Sequence, residues 1–106
     1  MSEAPTLEKL IVEPTFTTPE VVFDPSSGKF FIGGNSYPEN SLRFYEPILQ
    51  WLDAFVKKHT PREEPLVLEV KLEYFNTSTA KVLLDLFRHF EALGEKGQPV
   101  MIRWLY

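Results

Sequence analysis

The chain has no cysteine among its 106 residues. That excludes disulfide staples and thiolate metal sites, and it fits a reducing cytoplasm. Positive charge is in short supply: 11 Lys and Arg stand against 15 Asp and Glu, a formal net charge of -4. A general nucleic-acid binder needs a basic face, so no nucleic-acid partner is expected. No apolar run approaches the roughly 20 residues that span a bilayer. Met1-Ser2-Glu3-Ala4-Pro5 lacks the basic and then apolar layout of a signal peptide. The expectation is a soluble cytoplasmic protein with no membrane partner. Histidine is scarce, and His59 and His89 stand in no Ser-His-Asp or metal-ligand spacing. Gly33-Gly34 lacks the Lys and the spacing of a phosphate-binding loop. Neither a metal nor a cofactor is expected.

What is present suffices for one packed domain over residues 1–106, with 1–7 frayed. Hydrophobic residues make up 43% and aromatics 14%. Leu7 to Val12 suits a short edge strand, and Pro14 and Pro19 bracket a Thr-rich extended stretch. Val21-Val22-Phe23-Asp24, Pro25-Ser26-Ser27-Gly28 and Lys29-Phe30-Phe31-Ile32-Gly33 read as a β-hairpin, because the central four are turn formers. The turn lacks the later acidic ligands and closing Glu of a calcium loop. Gly33 to Asn40 is expected to be a loop. Tyr45, Ile48, Leu49, Leu52, Phe55 and Val56 then recur at helical spacing, with Asn40 or Ser41 as N-cap. Pro47 either interrupts a helix begun near Ser41 or marks the first turn of one begun near Glu46.

Leu66 to Phe75 alternates, with Leu66, Leu68, Val70, Leu72 and Tyr74 expected on one face and Glu69, Lys71 and Glu73 on the other. A second helix follows, its buried stripe expected at Ala80, Leu83, Leu84, Phe87, Phe90 and Leu93, ending at Gly94 or Gly97. Val100 to Tyr106 is a last strand. Strand, helix, strand makes a βαβ unit with parallel strands and a right-handed crossover. The fold class is therefore α/β, an N-terminal β-hairpin, then a helix and a βαβ unit. A parallel sheet usually has both faces covered by helices; if both helices lie on one face, the other is left bare, and the apolar Trp104-Leu105-Tyr106 calls for a cover by a further C-terminal segment or a partner.

The most informative stretch is Tyr74-Phe75-Asn76-Thr77-Ser78-Thr79. It puts a hydroxyl cluster at the N-terminus of a helix, where free N–H groups and the helix dipole stabilise an anion. A phosphate on one of those hydroxyls would sit in the same field. The bland reading is a helix cap, for which one of these residues is enough. Asn76-Thr77-Ser78 also matches the N-glycosylation sequon, which means little without a secretory signal. Tyr37-Pro38-Glu39-Asn40 reads as a turn with a cap, yet an aromatic on such a loop often marks a contact surface. Tyr45, Trp51 and Phe55 either extend that surface or belong to the core. Glu69 and Glu73 would be an acid/base pair in a small hydrolase or transferase, but solvated charge on an open sheet face explains them as well.

Ser36-Tyr37-Pro38-Glu39-Asn40-Ser41 and Tyr74-Phe75-Asn76-Thr77-Ser78, in that order around a helix and a strand, resemble the SiaC family of bacterial regulatory phosphoproteins. The similarity runs from about Glu13 to the chain end, taking in Thr18-Pro19-Glu20-Val21 and Arg103-Trp104-Leu105-Tyr106. The resemblance implies a STAS-like mixed sheet, similar to anti-sigma factor antagonists. It implies a noncatalytic partner-switching protein phosphorylated on Thr77, which follows Asn76 where the wider group often has Asp. The implied partners are a diguanylate cyclase, activated by the unphosphorylated form in cyclic di-GMP control of biofilm and aggregation, a histidine-kinase-like Ser/Thr kinase, and a metal-dependent phosphatase. Tyr37, Pro38, Glu39, Asn40, Tyr74, Asn76, Ser78 and Thr79 are the expected partner-binding residues. Family chains are expected to continue with an acidic helix and a strand-like segment that is absent here. The oligomeric state stays open, a homo-oligomer included. The alternatives are the Glu69/Glu73 hydrolase and a structural subunit indifferent to phosphorylation.

Overall fold

The computed structural model describes residues 8–105. The expected fraying of 1–7, and the strand ends placed at Leu7 and Tyr106, lie outside the described residues. The elements in chain order are β1 (Leu10–Val12), β2 (Glu20–Asp24), β3 (Lys29–Ser36), α1 (Ser41–Lys58), β4 (Leu66–Phe75), α2 (Thr77–Glu95) and β5 (Val100–Trp104). The strands form one mixed sheet in the order β1-β2-β3-β4-β5. β1, β2 and β3 pair antiparallel, and β3, β4 and β5 pair parallel.

The β2–β3 hairpin turns where the sequence has turn chemistry. The Asp24 carboxylate accepts the Ser26 N–H at 3.2 Å and the Ser26 and Ser27 hydroxyls at 2.9 and 3.0 Å. Those bonds, the Ser26 hydroxyl foremost, hold its carboxyl below the ordinary Asp pKa. Gly28, at φ +76, completes the turn with an N–H donated to the Asp24 carbonyl.

Parallel strands need a long crossover, usually a helix, and α1 and α2 supply the two crossovers. Both pack on one face. Tyr45, Ile48, Leu52 and Phe55 of α1 meet Val82, Leu83, Leu86, Phe90 and Leu93 of α2 over the inward side chains of β2, β3 and β4. Across the other face, Ile11, Val22, Phe31, Glu69 and Arg103 form one row in register. Arg103 reaches Glu69 there at 2.9 Å.

α1 begins at Ser41 and runs through Pro47, so the Arg43 carbonyl loses its usual N–H donor. Asn40 is the cap, accepting the Arg43 N–H at 3.0 Å. Trp51 and Phe55 belong to the core, Trp51 stacking on Phe55.

Three expectations are corrected. The segment expected to be a loop from Gly33 is strand as far as Ser36, because parallel pairing with β4 continues to Phe75. Glycine suits this stretch: a Cβ on Gly33 would lie 2.5 Å from the Phe31 ring, and Gly34 has φ +100.

Second, Tyr74 does not share the face of Leu66 to Leu72. Gly34 pairs with Leu72 and Asn35 with Tyr74, so β4 carries one extra residue, Glu73, at a bulge. One extra residue reverses the faces beyond it. Tyr74 turns outward, 56% exposed, and Phe75 turns toward the core.

Third, the buried stripe of α2 is Thr79, Val82, Leu83, Leu86, Phe90 and Leu93, with Leu84 exposed. Leu83 and Leu84 are about 100° apart around a helix, and Leu83 takes the inward place. The helix ends at Glu95 with Lys96 as its C-cap, and Gly97 at φ +101 lets Gln98 donate its N–H to the Leu93 carbonyl.

Candidate functional site

The two motifs singled out in the sequence, forty residues apart, meet at one edge of the sheet. β3 and β4 are parallel neighbours, so both deliver the chain to the same edge and a helix starts from each. Ser36 pairs with Phe75 in register, and the Asn76 N–H donates to the Ser36 carbonyl at 3.1 Å. The Tyr37 and Tyr74 rings stand edge to face, 5.0 Å apart. Their contact depends on the bulge, since only the reversal of faces brings Tyr74 outward.

Beneath this surface lies a buried hydroxyl chain. Asn76 caps α2 by accepting the Thr79 N–H at 2.9 Å. The Thr79 hydroxyl donates to the Ser36 carbonyl at 3.0 Å. That uses its only proton, so in the 2.8 Å contact with Ser36 the serine hydroxyl is the donor. Ser36 Oγ in turn accepts from the Tyr45 hydroxyl at 2.7 Å. The direction runs from Tyr45 to Ser36 to Thr79 to the Ser36 carbonyl. Ser36, Tyr45 and Thr79 are all 0% exposed. Burial raises the Tyr45 pKa above its ordinary 10.0, with the Ser36 and Thr79 hydrogen bonds acting in the opposite sense. The chain ties α1, α2 and the end of β3 into one rigid corner.

The three consecutive hydroxyls are therefore unequal. Thr79 is locked inside, while Thr77 and Ser78 are exposed on the first turn of α2. The Thr77 and Ser78 amides have no protein acceptor among the described residues, as expected of the first helical N–H groups. They and the helix dipole favour negative charge at this point. Lys81, exposed, lies four residues beyond Thr77 and so on the same helix face. Between the starts of α1 and α2 a cleft of about 330 Å³ is lined by Glu39, Asn40, Ser41, Leu42, Ser78, Lys81 and Val82.

The other expected contact residues divide likewise. Tyr37, Glu39 and Asn40 are exposed and Asn76 is half-buried, whereas Pro38 is buried under the loop. The Thr-rich stretch between Pro14 and Pro19, expected to be extended, is instead folded into a Thr15–Thr18 turn, because the Thr15 hydroxyl accepts the Thr17 and Thr18 N–H groups. Its Thr17 carbonyl accepts the Tyr37 N–H at 2.8 Å, which docks the turn beside the site with Phe16 88% exposed. The only sequence signal was threonine on both sides of a lone Phe, a turn-forming pattern.

Elsewhere, titratable groups do structural work. Glu69 is engaged by Arg103, and Glu73 lies four positions further along the strand, roughly 13 Å at the usual rise. A cooperating carboxylate pair sits closer, about 5–9.5 Å apart in glycosidases. His89 bridges to Asp53 of α1 at 3.0 Å. His59 bonds Gln98 at 2.6 Å. Among the described residues no three His, Asp or Glu are grouped to hold a metal, and no helix is long and apolar enough to cross a membrane.

A family model described as SiaC family regulatory phosphoprotein matches residues 12–106. An uncharacterized protein of Pseudomonas aeruginosa (strain UCBPP-PA14) is 32% identical over 100 residues, 94% of this chain and 77% of that protein. The crystal structure of apo-SiaC from Pseudomonas aeruginosa superposes with a TM-score of 0.83 at 32% identity, covering 94% of this chain and 80% of that one. A crystal structure of the diguanylate cyclase SiaD in complex with its activator SiaC, also from Pseudomonas aeruginosa, contains a chain matching at TM-score 0.80 and 33% identity. That match covers 92% of this chain and 77% of the other.

Proposed function

We propose, on the premise that this chain belongs to the SiaC family of regulatory phosphoproteins, that it is a noncatalytic switch whose unmodified form binds and activates a diguanylate cyclase. Phosphate on Thr77 ends that binding. The observation that carries this reading is the division of the hydroxyls at the start of α2. Thr77 and Ser78 are open to a kinase and to a partner, while Thr79 is 0% exposed and fully engaged; of the two open hydroxyls, the family resemblance favours Thr77. The SiaC of the cyclase complex, described there as the activator of SiaD, supports the cyclase as partner.

The mechanism follows from charge. A phosphate adds about -1.5 to -2 charges at neutral pH. On the free protein that charge meets unpaired amides and the positive end of α2, a gain of roughly 0.3–1 kcal/mol when exposed. In a closed interface the same charge, unpaired, costs roughly 3–5 kcal/mol. Both effects favour release. Every 1.4 kcal/mol is about tenfold in affinity, so binding should weaken at least a hundredfold. On this reading a histidine-kinase-like Ser/Thr kinase adds the phosphate and a metal-dependent phosphatase removes it. The contact surface comprises Tyr37, Glu39, Asn40, Tyr74 and Ser78 around Thr77. Asn76, Pro38 and Thr79 hold that surface from behind.

The test is calorimetric titration of a purified diguanylate cyclase from the same organism. Thr77→Ala should bind as the wild type does, and Thr77→Glu should bind at least a hundredfold more weakly with its fold intact. Wild-type affinity in the Glu variant would refute the switch.

A further inference from the structure

We infer that Phe16 is the apolar anchor of this surface, its ring entering an apolar pocket on the same output protein that reads Thr77. The inference rests on the switch proposed above and adds a contact to it.

Phe16 is 88% exposed, more than any other large hydrophobic side chain among the described residues. A phenyl ring left in water is ordinarily a feature of a mobile loop, but this one stands on a tied turn. Thr15 Oγ1 accepts the N–H groups of Thr17 and Thr18 at 3.2 and 3.0 Å and bonds the Thr18 hydroxyl. The Thr15 N–H closes the turn on the Thr18 carbonyl at 3.0 Å.

The backbone at Phe16 is also held from outside. The Asn35 side-chain amide donates to the Phe16 carbonyl, and the Tyr37 N–H donates to the Thr17 carbonyl. Pro14 and Pro19 flank the turn, and Pro19 is buried. A contact presented this way loses little conformational freedom on binding, which is how a rigid anchor gains affinity.

The occupant follows from where the turn is fixed. Its two outside supports are Asn35 and Tyr37, and these with Tyr74 line one hollow at the strand ends. Tyr74 stands three residues before Thr77 in the chain. The turn that carries the ring is thus held by the strand ends from which the loop to α1 and the start of α2 leave, and a partner that covers those strand ends meets Phe16. Interface energy concentrates in a few aromatic anchors of this kind.

The same cyclase titration, run with Phe16→Ala, tests the inference. The melting temperature of the free protein should stay unchanged, because the ring packs on nothing, while affinity for the cyclase falls at least tenfold. Phe16→Leu, still apolar, should recover most of the loss. Loss of binding in Thr77→Glu but not in Phe16→Ala overturns the anchor and leaves the switch standing. Loss in Phe16→Ala but not in Thr77→Glu overturns the switch, and with it the anchor as stated; loss in neither overturns both. A change in the molar mass of the free protein by light scattering in Phe16→Ala would place the ring against a second copy and overturn the inference.

Discussion

Replacing Thr79 by valine should destabilise the fold, while the same replacement at Thr77 should not. Valine keeps the shape of threonine, so no cavity opens and the change isolates the hydroxyl. At position 79 it removes the bond to the Ser36 carbonyl and the bond from the Ser36 hydroxyl. The carbonyl keeps the Asn76 N–H and remains satisfied. The Ser36 proton, however, loses its acceptor at a fully buried position. A net buried hydrogen bond contributes about 0.5–1.5 kcal/mol, and a stranded buried donor costs about 1–3 kcal/mol. The expected loss is about 2 kcal/mol. With a urea slope of about 1–3 kcal/mol/M, the midpoint should fall by roughly 1 M at unchanged slope. Thr77 is exposed and bonds nothing through its hydroxyl among the described residues, so its replacement should stay within about 0.5 kcal/mol of wild type. Equal midpoints for Thr79→Val and wild type would refute the buried hydroxyl chain. A drop in Thr77→Val as large as that in Thr79→Val would refute the claim that the two hydroxyls differ in kind.

Two further outcomes follow from the same geometry. Because burial raises the Tyr45 pKa, the folded state holds that proton more tightly than the unfolded chain. Stability from this source is full below the ordinary pKa of 10.0 and is lost as pH rises through the folded value. Chemical denaturation followed between pH 8 and 11 should show this loss in wild type and a flatter profile in Tyr45→Phe. Gln98 is 2% exposed and bonds His59, the Arg62 N–H, and the Glu64 and Pro99 carbonyls. Gln98→Ala should therefore cost about 2–4 kcal/mol by urea denaturation, and an unchanged midpoint would show that water replaces the amide.

The sequence disclosed most of the fold because its signals were local. The turn residues around Ser26, the alternation of Leu66 to Leu72 and the Asn caps at 40 and 76 each act within a few residues. What it concealed was set by pairing between strands. Nothing near Tyr74 announces that Glu73 is an extra residue against Gly34 and Asn35. Only the partner strand makes the bulge, and the bulge alone decides that Tyr74 faces out. The same holds for the site. The cluster from Asn76 to Thr79 was legible as a capped, hydroxyl-rich helix start, but which hydroxyl is buried depends on Ser36 and Tyr45, distant in sequence. Phe16 escaped notice because its turn is held by Asn35 and Tyr37, whose approach no periodicity reveals. Leu84 was misassigned for the opposite reason: two adjacent leucines satisfy one stripe, and only packing chooses between them.

The measurement that tests the switch most directly uses phosphate itself. Protein phosphorylated stoichiometrically on Thr77, verified by mass spectrometry, is compared with unmodified protein for its effect on cyclic di-GMP synthesis by a purified diguanylate cyclase from the same organism. Unmodified protein should stimulate synthesis, and the phosphorylated form should neither stimulate it nor compete with the unmodified form. Equal stimulation by both forms would contradict the account.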